Sequence, residues 1–225
     1  MYLSASGLPI EINILFLCLI LIQVFFALKS IDWAALFVFR HRQHLILGAL
    51  VISFCLWQLR GWFDDSAAIY ILGVNLMTLI LGWAFASVIV LINSLLLVVI
   101  GVNEWQYWAF NTFLWGYVPI GVSLLCYRLV VYWFDNPFAY IFLCGFFGSV
   151  ATLVVPATIS WGIFELLELT VAEVVLTYLA YAAVVCIPEG VLSGMLLVSF
   201  VIFLPDWVKT YDEKRYEHNS KTKYK

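Results

Sequence analysis

From Ala67 to Asn103 the chain carries no charged residue. That run is too long for one membrane helix, since about 20 residues at a rise of about 1.5 Å cross a ~30 Å hydrocarbon layer. It is also too apolar to hold a large loop. Two helices with a tight turn near Gly82 fit it best. Composition agrees: of 225 residues, 65% are hydrophobic and 11% charged, against about 45–50% and about 25% in soluble domains. Where no water is present, backbone hydrogen bonds must close within each span, so helices or closed barrels are the only choices. A barrel needs short strands alternating apolar and polar residues. Runs such as LFLCLILIQVFFAL and VLINSLLLVVI do not alternate. The fold class is therefore all-α, a polytopic transmembrane helix bundle.

Polar punctuation divides the chain into about seven spans: Ile10–Leu28, His44–Leu59, Ala67–Leu81, Trp83–Gly101, Ala109–Tyr127, Phe138–Phe164 and a last one ending near Leu204. Residues 170–204 would reach about 50 Å as one helix. That length admits a bent single crossing, a shallow segment before the true span, or two crossings. Charge decides the number. Lys29, Arg40, Arg42, Arg128 and the tail lysines from Lys209 onward fall on one side of an odd threading. Asp64 and Asp65 (with Arg60), Glu104, Glu165, Glu168 and Glu173 fall on the other. Basic loops mark the cytoplasm, so seven spans place the N-terminus out and the C-terminus in. Residues 1–208 form one transmembrane domain and 209–225 a short cytoplasmic tail. With no basic n-region before it, the first apolar run reads as a helix that stays attached. Trp33, Trp57, Trp62, Trp105, Trp108, Trp133 and Trp207 near the proposed helix ends fit an interfacial aromatic belt. The five cysteines lie inside apolar runs and read as small core residues.

Polar groups inside spans are costly and point to function or to structural pairing. Glu189, in IPEGVLSGM, ranks first, either capping a broken helix or lining a site. Gly190 and Gly194 give a GxxxG spacing that lets helices approach closely. Asn75 and Asn111 are candidates for hydrogen bonds across helices or to a solute, whereas Asn93 reads as structural glue. His41 and His44 share a helical face without a third ligand and beside two arginines, so no metal site and no cofactor are assigned. The chain has no Gly-rich phosphate loop, HExxH or GxSxG, which argues against an enzyme. Its tail suits membrane lipid rather than nucleic acid.

The stretch IYILGVNLMTLILGWAFASVIVLINSLLLVVIG resembles the paired helices of the CbiM-like membrane proteins. These are permease or substrate-capture subunits of energy-coupling-factor transporters for cobalt and nickel. WAFNTFLWGYVPIGVSLLCYRLV resembles their next helix, with Asn111 in the place of the family's asparagine, and IPEGVLSGMLLVSFVIFLP resembles their last span. The resemblance is to a divergent branch that closes on Pro205, Trp207, Val208 and Tyr211. It implies a bacterial inner-membrane protein working with ATPase and coupling transmembrane subunits. In metal-capturing members, the amino terminus, a second-position histidine and a histidine opening the third helix surround the ion. Here Tyr2 and Tyr70 stand at those positions. The substrate-binding candidates are therefore Glu189, Tyr70, Asn75 and Asn111, around a solute entering between spans three, five and seven. A scaffold or assembly subunit that binds partner helices through GxxxG is the alternative.

Reporter fusions test the threading. A C-terminal fluorescent fusion is expected to be active inside the cell, with the start of the chain labelled from outside. Both ends on one face would contradict an odd number of crossings.

Overall fold

The computed structural model describes residues 2–3, 8–33, 36, 40–63, 67–168 and 172–212. Among them are seven helices of eight residues or more. These are α1 (Ile10–Ser30), α2 (Arg40–Gln58), α3 (Val74–Leu81), α4 (Trp83–Val99), α5 (Trp105–Trp133), α6 (Pro137–Leu166) and α7 (Ala172–Phe203). Four are long and apolar enough to cross a membrane by themselves: α1, α5, α6 and, within α7, Val184–Phe203. Apolar side chains cover the outside of the bundle as well as its core. In α1, Leu15, Leu21, Ile22, Phe25 and Phe26 are all exposed, as expected where the solvent is lipid. Asp64, Asp65 and the tail beyond residue 212 lie outside the described residues.

One expectation needs correction. The stretch Ala67–Leu81 is not one helix. Its first part is strand β3 (Ala67–Tyr70), the middle of a small antiparallel sheet whose flanking strands are β1 (Tyr2–Leu3) and β2 (Arg60–Phe63). The register pairs Tyr2 with Ala68 on one side and Arg60 with Tyr70 on the other. The bundle is thus mostly, not wholly, α. Gly73, at φ +64°, sets the break, a backbone angle that costs glycine nothing. The remaining helix has eight residues and is about 12 Å long, less than half a bilayer core. Of the alternatives open for the segment before Leu204, the structure takes a single long helix. Ala172–Phe203 is one continuous helix of 32 residues, with Pro188 inside it, and it holds no reversal that two crossings would require.

The turn expected near Gly82 is present. Gly82, at φ +84°, ends α3 and opens α4. Side chains then tie helix ends together in two sets. In the first, Asn13 near the start of α1 donates to the carbonyl of Gln106 and accepts from the amide of Phe110, both at the start of α5. Arg60, just past α2, donates to Asn103, just past α4, at 3.0 Å. In the second set, Ala27 and Ile31 at the end of α1 pack on Ala84 at the start of α4. From α1 to α5, consecutive helices therefore alternate in direction.

The residues after α7 fold back onto the end of α3. The last carbonyls of a helix have no intrahelical partner. Here the amide of Lys209 reaches the carbonyl of Ile80 at 2.9 Å, and the Thr210 amide and hydroxyl reach that of Leu79 at 3.3 and 2.8 Å. Because the Thr210 proton is spent on Leu79, the 2.6 Å contact with Tyr140 has the phenol as donor. Lys209 and Thr210, read as the start of the tail, are thus docked on α3. Thr210→Val removes both side-chain bonds. It should cost about 1–2 kcal/mol and lower the melting temperature in detergent by about 2–4 °C per kcal/mol. An unchanged melting temperature would show the docking to be incidental.

Candidate functional site

Glu189 lies on α7 and is fully buried. Its two carboxylate oxygens accept from the backbone amides of Leu72, at 3.1 Å, and Gly73, at 3.0 Å. These amides open α3, where orphan N–H groups and the positive end of the helix dipole favour an anion. Trp57 of α2 donates its indole N–H to the carbonyl of Leu72 at 2.9 Å. One peptide unit is therefore held from both sides, by α2 and by α7. Unwound backbone survives at membrane depth only where protein satisfies its polar groups, and Glu189 and Trp57 do that here. The carboxylate caps a broken helix, as the sequence allowed, but the helix is α3 and not its own.

Asn75 is also buried. Its amide nitrogen donates to the carbonyls of Cys144 and Gly145, at 2.8 and 3.3 Å, and to the Ser149 hydroxyl at 2.8 Å. The two carbonyls belong to a π-helical stretch of α6, Tyr140–Phe147, whose widened turn leaves carbonyls short of partners. Asn75 binds α3 to α6 through that irregularity. Beside it, Gly145 and Gly190 let α6 and α7 meet. A Cβ on Gly145 would sit 3.0 Å from Leu197, and one on Gly190 would sit 3.0 Å from the Phe146 ring. Gly194 also faces Phe146. The GxxxG face is thus used within the chain.

Tyr70 and Asn111 meet elsewhere, at a small cavity of about 20 Å³ between β3, α2, α4 and α5. That is room for one water-sized occupant. Trp57, Ser94, Asn103, Thr112 and Trp115 complete most of its wall. Asn111 donates to the carbonyl of Tyr107, one turn back, at 3.0 Å. The Arg60 guanidinium lies 5.2 Å from the centre of the Tyr70 ring, and Tyr70 in turn stacks at an angle on Trp57. β1 pairs along the same strand, which puts position 2 opposite Ala68.

The four candidates therefore separate into two places. Tyr70 and Asn111 line the cavity, whereas Glu189 and Asn75 hold the discontinuous third segment that carries Tyr70. Ser94, Asn103, Thr112, Trp57 and Trp115 were not singled out from sequence as site residues. Small polar and aromatic residues are common in membrane helices, and the usable signal was Arg60, a cation on the otherwise acidic side. Among the described residues no group of three His, Cys, Asp or Glu side chains is placed to hold a metal ion.

No family model matches the chain, and no curated protein matches it. The chain is similar in structure to a solved "truncated transition metal transporter". The TM-score is 0.67 over 90% of this chain and 98% of that one, at 16% sequence identity. The likeness establishes a shared fold.

The Glu189 geometry gives a graded prediction. Glu189→Leu strands two buried amides and should cost about 2–5 kcal/mol of stability. Glu189→Gln, which keeps one acceptor, should cost roughly half of that. Thermal unfolding in detergent measures both, and a Leu variant as stable as the parent would refute the clamp.

Proposed function

We propose that this chain is the permease or substrate-capture subunit of an energy-coupling-factor type transporter in a bacterial inner membrane. The observation that carries the proposal is the fold shared with a transition metal transporter across nearly all of both chains. The paired helix ends support seven passes with the start outside and the end inside. Six passes are helical, and the third crosses as a strand followed by a half-helix. On this threading Glu104, Glu165 and Glu168 lie outside, while Arg42, Arg128 and Lys209 lie inside, as basic residues do in membrane proteins.

Solute would enter at the sheet end and meet Tyr70 and Asn111. Glu189 and Trp57 fix the loop that carries Tyr70, so capture and the discontinuous third pass are mechanically one unit. Broken helices with a clamped half-helix terminus are a recurrent way to build transport sites at mid-membrane. Energy has to come from partner ATPase and coupling subunits, since the chain has no phosphate-binding loop.

The cargo has two readings, each with its own support. Nickel or cobalt is what the family resemblance implies, and the structural neighbour's name, a transition metal transporter, supports that class of cargo. A neutral cargo is supported by the cavity wall, whose hydroxyl, amide and indole groups carry no charge and have a guanidinium behind them, and a solute larger than water would need the wall to open. Imidazole and thiolate are the usual ligands of those metals. The scaffold alternative loses ground, because its GxxxG face is already occupied by α6.

Uptake of nickel and cobalt by cells co-expressing the chain with an ATPase and coupling module, together with elemental analysis of the purified protein, separates the readings. Bound metal and metal uptake support the first. For either cargo, Tyr70→Phe and Asn111→Leu should each lower uptake on the order of tenfold, the worth of one buried hydrogen bond, with insertion intact. Co-purification without any ATPase, and no uptake, would overturn the transport reading.

A further inference from the structure

A second recess lies at the opposite, basic end of the bundle. It has a volume of about 140 Å³ and is formed where the start of α2, the end of α3, the start of α4 and the turn after α7 converge. Several waters at about 30 Å³ each would fill it, and so would a phosphodiester group. Its floor is apolar, from Leu45 and Ile46 on one side to Ile80, Leu81 and Phe85 on the other. Its rim is charged, with Arg42, Lys209 and one carboxylate, Asp206, and Trp207 stands beside them.

The position of Lys209 is built. Its backbone amide is bonded to the carbonyl of Ile80. Its side chain lies across Gly82, where a Cβ would come within 2.7 Å of Cδ and 3.3 Å of Nζ. The glycine between α3 and α4 thus serves as the groove for the lysine stem as well as the turn. Arg42 belongs to the first turn of α2, so both cations stand at the level where helices end. In a membrane protein that level is the layer of lipid phosphates and interfacial tryptophan. Basic pockets between helices there suit phospholipid headgroups.

We propose that this recess holds one membrane phospholipid, its phosphodiester between Arg42 and Lys209 and its glycerol and first methylenes against the Leu45 and Ile80 walls. Among the residues that line the recess, cations outnumber carboxylates by two to one, which complements a phosphodiester, and the apolar floor is what a free phosphate has no use for. The ligand would tie the start of α2 to the α3–α4 turn and to the segment that caps α3.

The test is native mass spectrometry of the full chain in a neutral sugar detergent, titrated with phosphatidylglycerol, with diacylglycerol of the same chains, and with inorganic phosphate. One phosphatidylglycerol per chain should be retained, diacylglycerol should not, and millimolar inorganic phosphate should not displace the lipid. The pair Arg42→Gln with Lys209→Gln should weaken retention roughly tenfold to thirtyfold. The pair Arg42→Lys with Lys209→Arg keeps the charges and should restore it. Melting temperatures without lipid check that each pair is folded. If the Gln pair is unfolded, the competition between phosphatidylglycerol and diacylglycerol on the parent protein decides alone. Equal retention of diacylglycerol, displacement by inorganic phosphate, or retention unaffected in the folded Gln pair would each overturn the proposal. So would a co-purifying protein held by Arg42 and Lys209 in place of lipid. None of these outcomes depends on uptake, so the site stands or falls apart from the transport reading.

Discussion

A carboxylate in an apolar interior must be matched with donors or it will not be tolerated. Glu189 is matched with two backbone amides, those of Leu72 and Gly73, and the rest of the structure follows from that pairing. The donors are available because the third segment stops being a strand at Tyr70 and becomes a helix only at Val74. The carboxylate is tolerable because those donors exist. Each removes the other's desolvation cost. Neither a helix running unbroken from Ala67 nor an apolar residue at 189 would be consistent with the other half of the pair.

α7 controls α3 from both ends. Glu189 takes the opening amides, and about 20 residues later the chain returns so that Lys209 and Thr210 take the closing carbonyls. An eight-residue helix has little stability of its own, so its position is set by what grips it. Trp57 and Asn75 add α2 and α6 to the grip. The strand that leads into α3 carries Tyr70 to the cavity, where Asn111 of α5 meets it. A movement of α7 would therefore be felt at the cavity through one peptide unit, without any contact between Glu189 and the cavity wall being needed.

The sequence carried those features whose energies are large and local. Lipid exposure penalises charge at every position, so the uncharged run from Ala67 to Asn103 located its helices and the Gly82 turn. The same reasoning marked Glu189 and Asn75 as residues needing partners. It did not supply the partners, which lie 116 and 117 residues away for Glu189 and are backbone groups with no side-chain signature. The strand at Ala67–Tyr70 was illegible for a related reason. AAIY is apolar enough for either state, and strand pairing with residues 60–63 and 2–3 tipped the balance. An extended segment and a helix leave the same side of the membrane when they cross it, so the strand by itself does not alter the proposed threading. The cavity was half legible: Asn111 stood out as a polar group inside a span and Tyr70 came from the family resemblance, while Ser94, Thr112 and Trp115 look like any polar or aromatic residue in a membrane helix.

Amide hydrogen exchange across residues 70–75 tests the clamp most directly, since it reads the two donors themselves. In the parent protein the Leu72 and Gly73 amides should exchange as slowly as those in the middle of α4, because opening them requires α7 to let go. Exchange at those two amides as fast as in the exposed connection at Asp135–Asn136, in protein that is otherwise folded, would contradict the account.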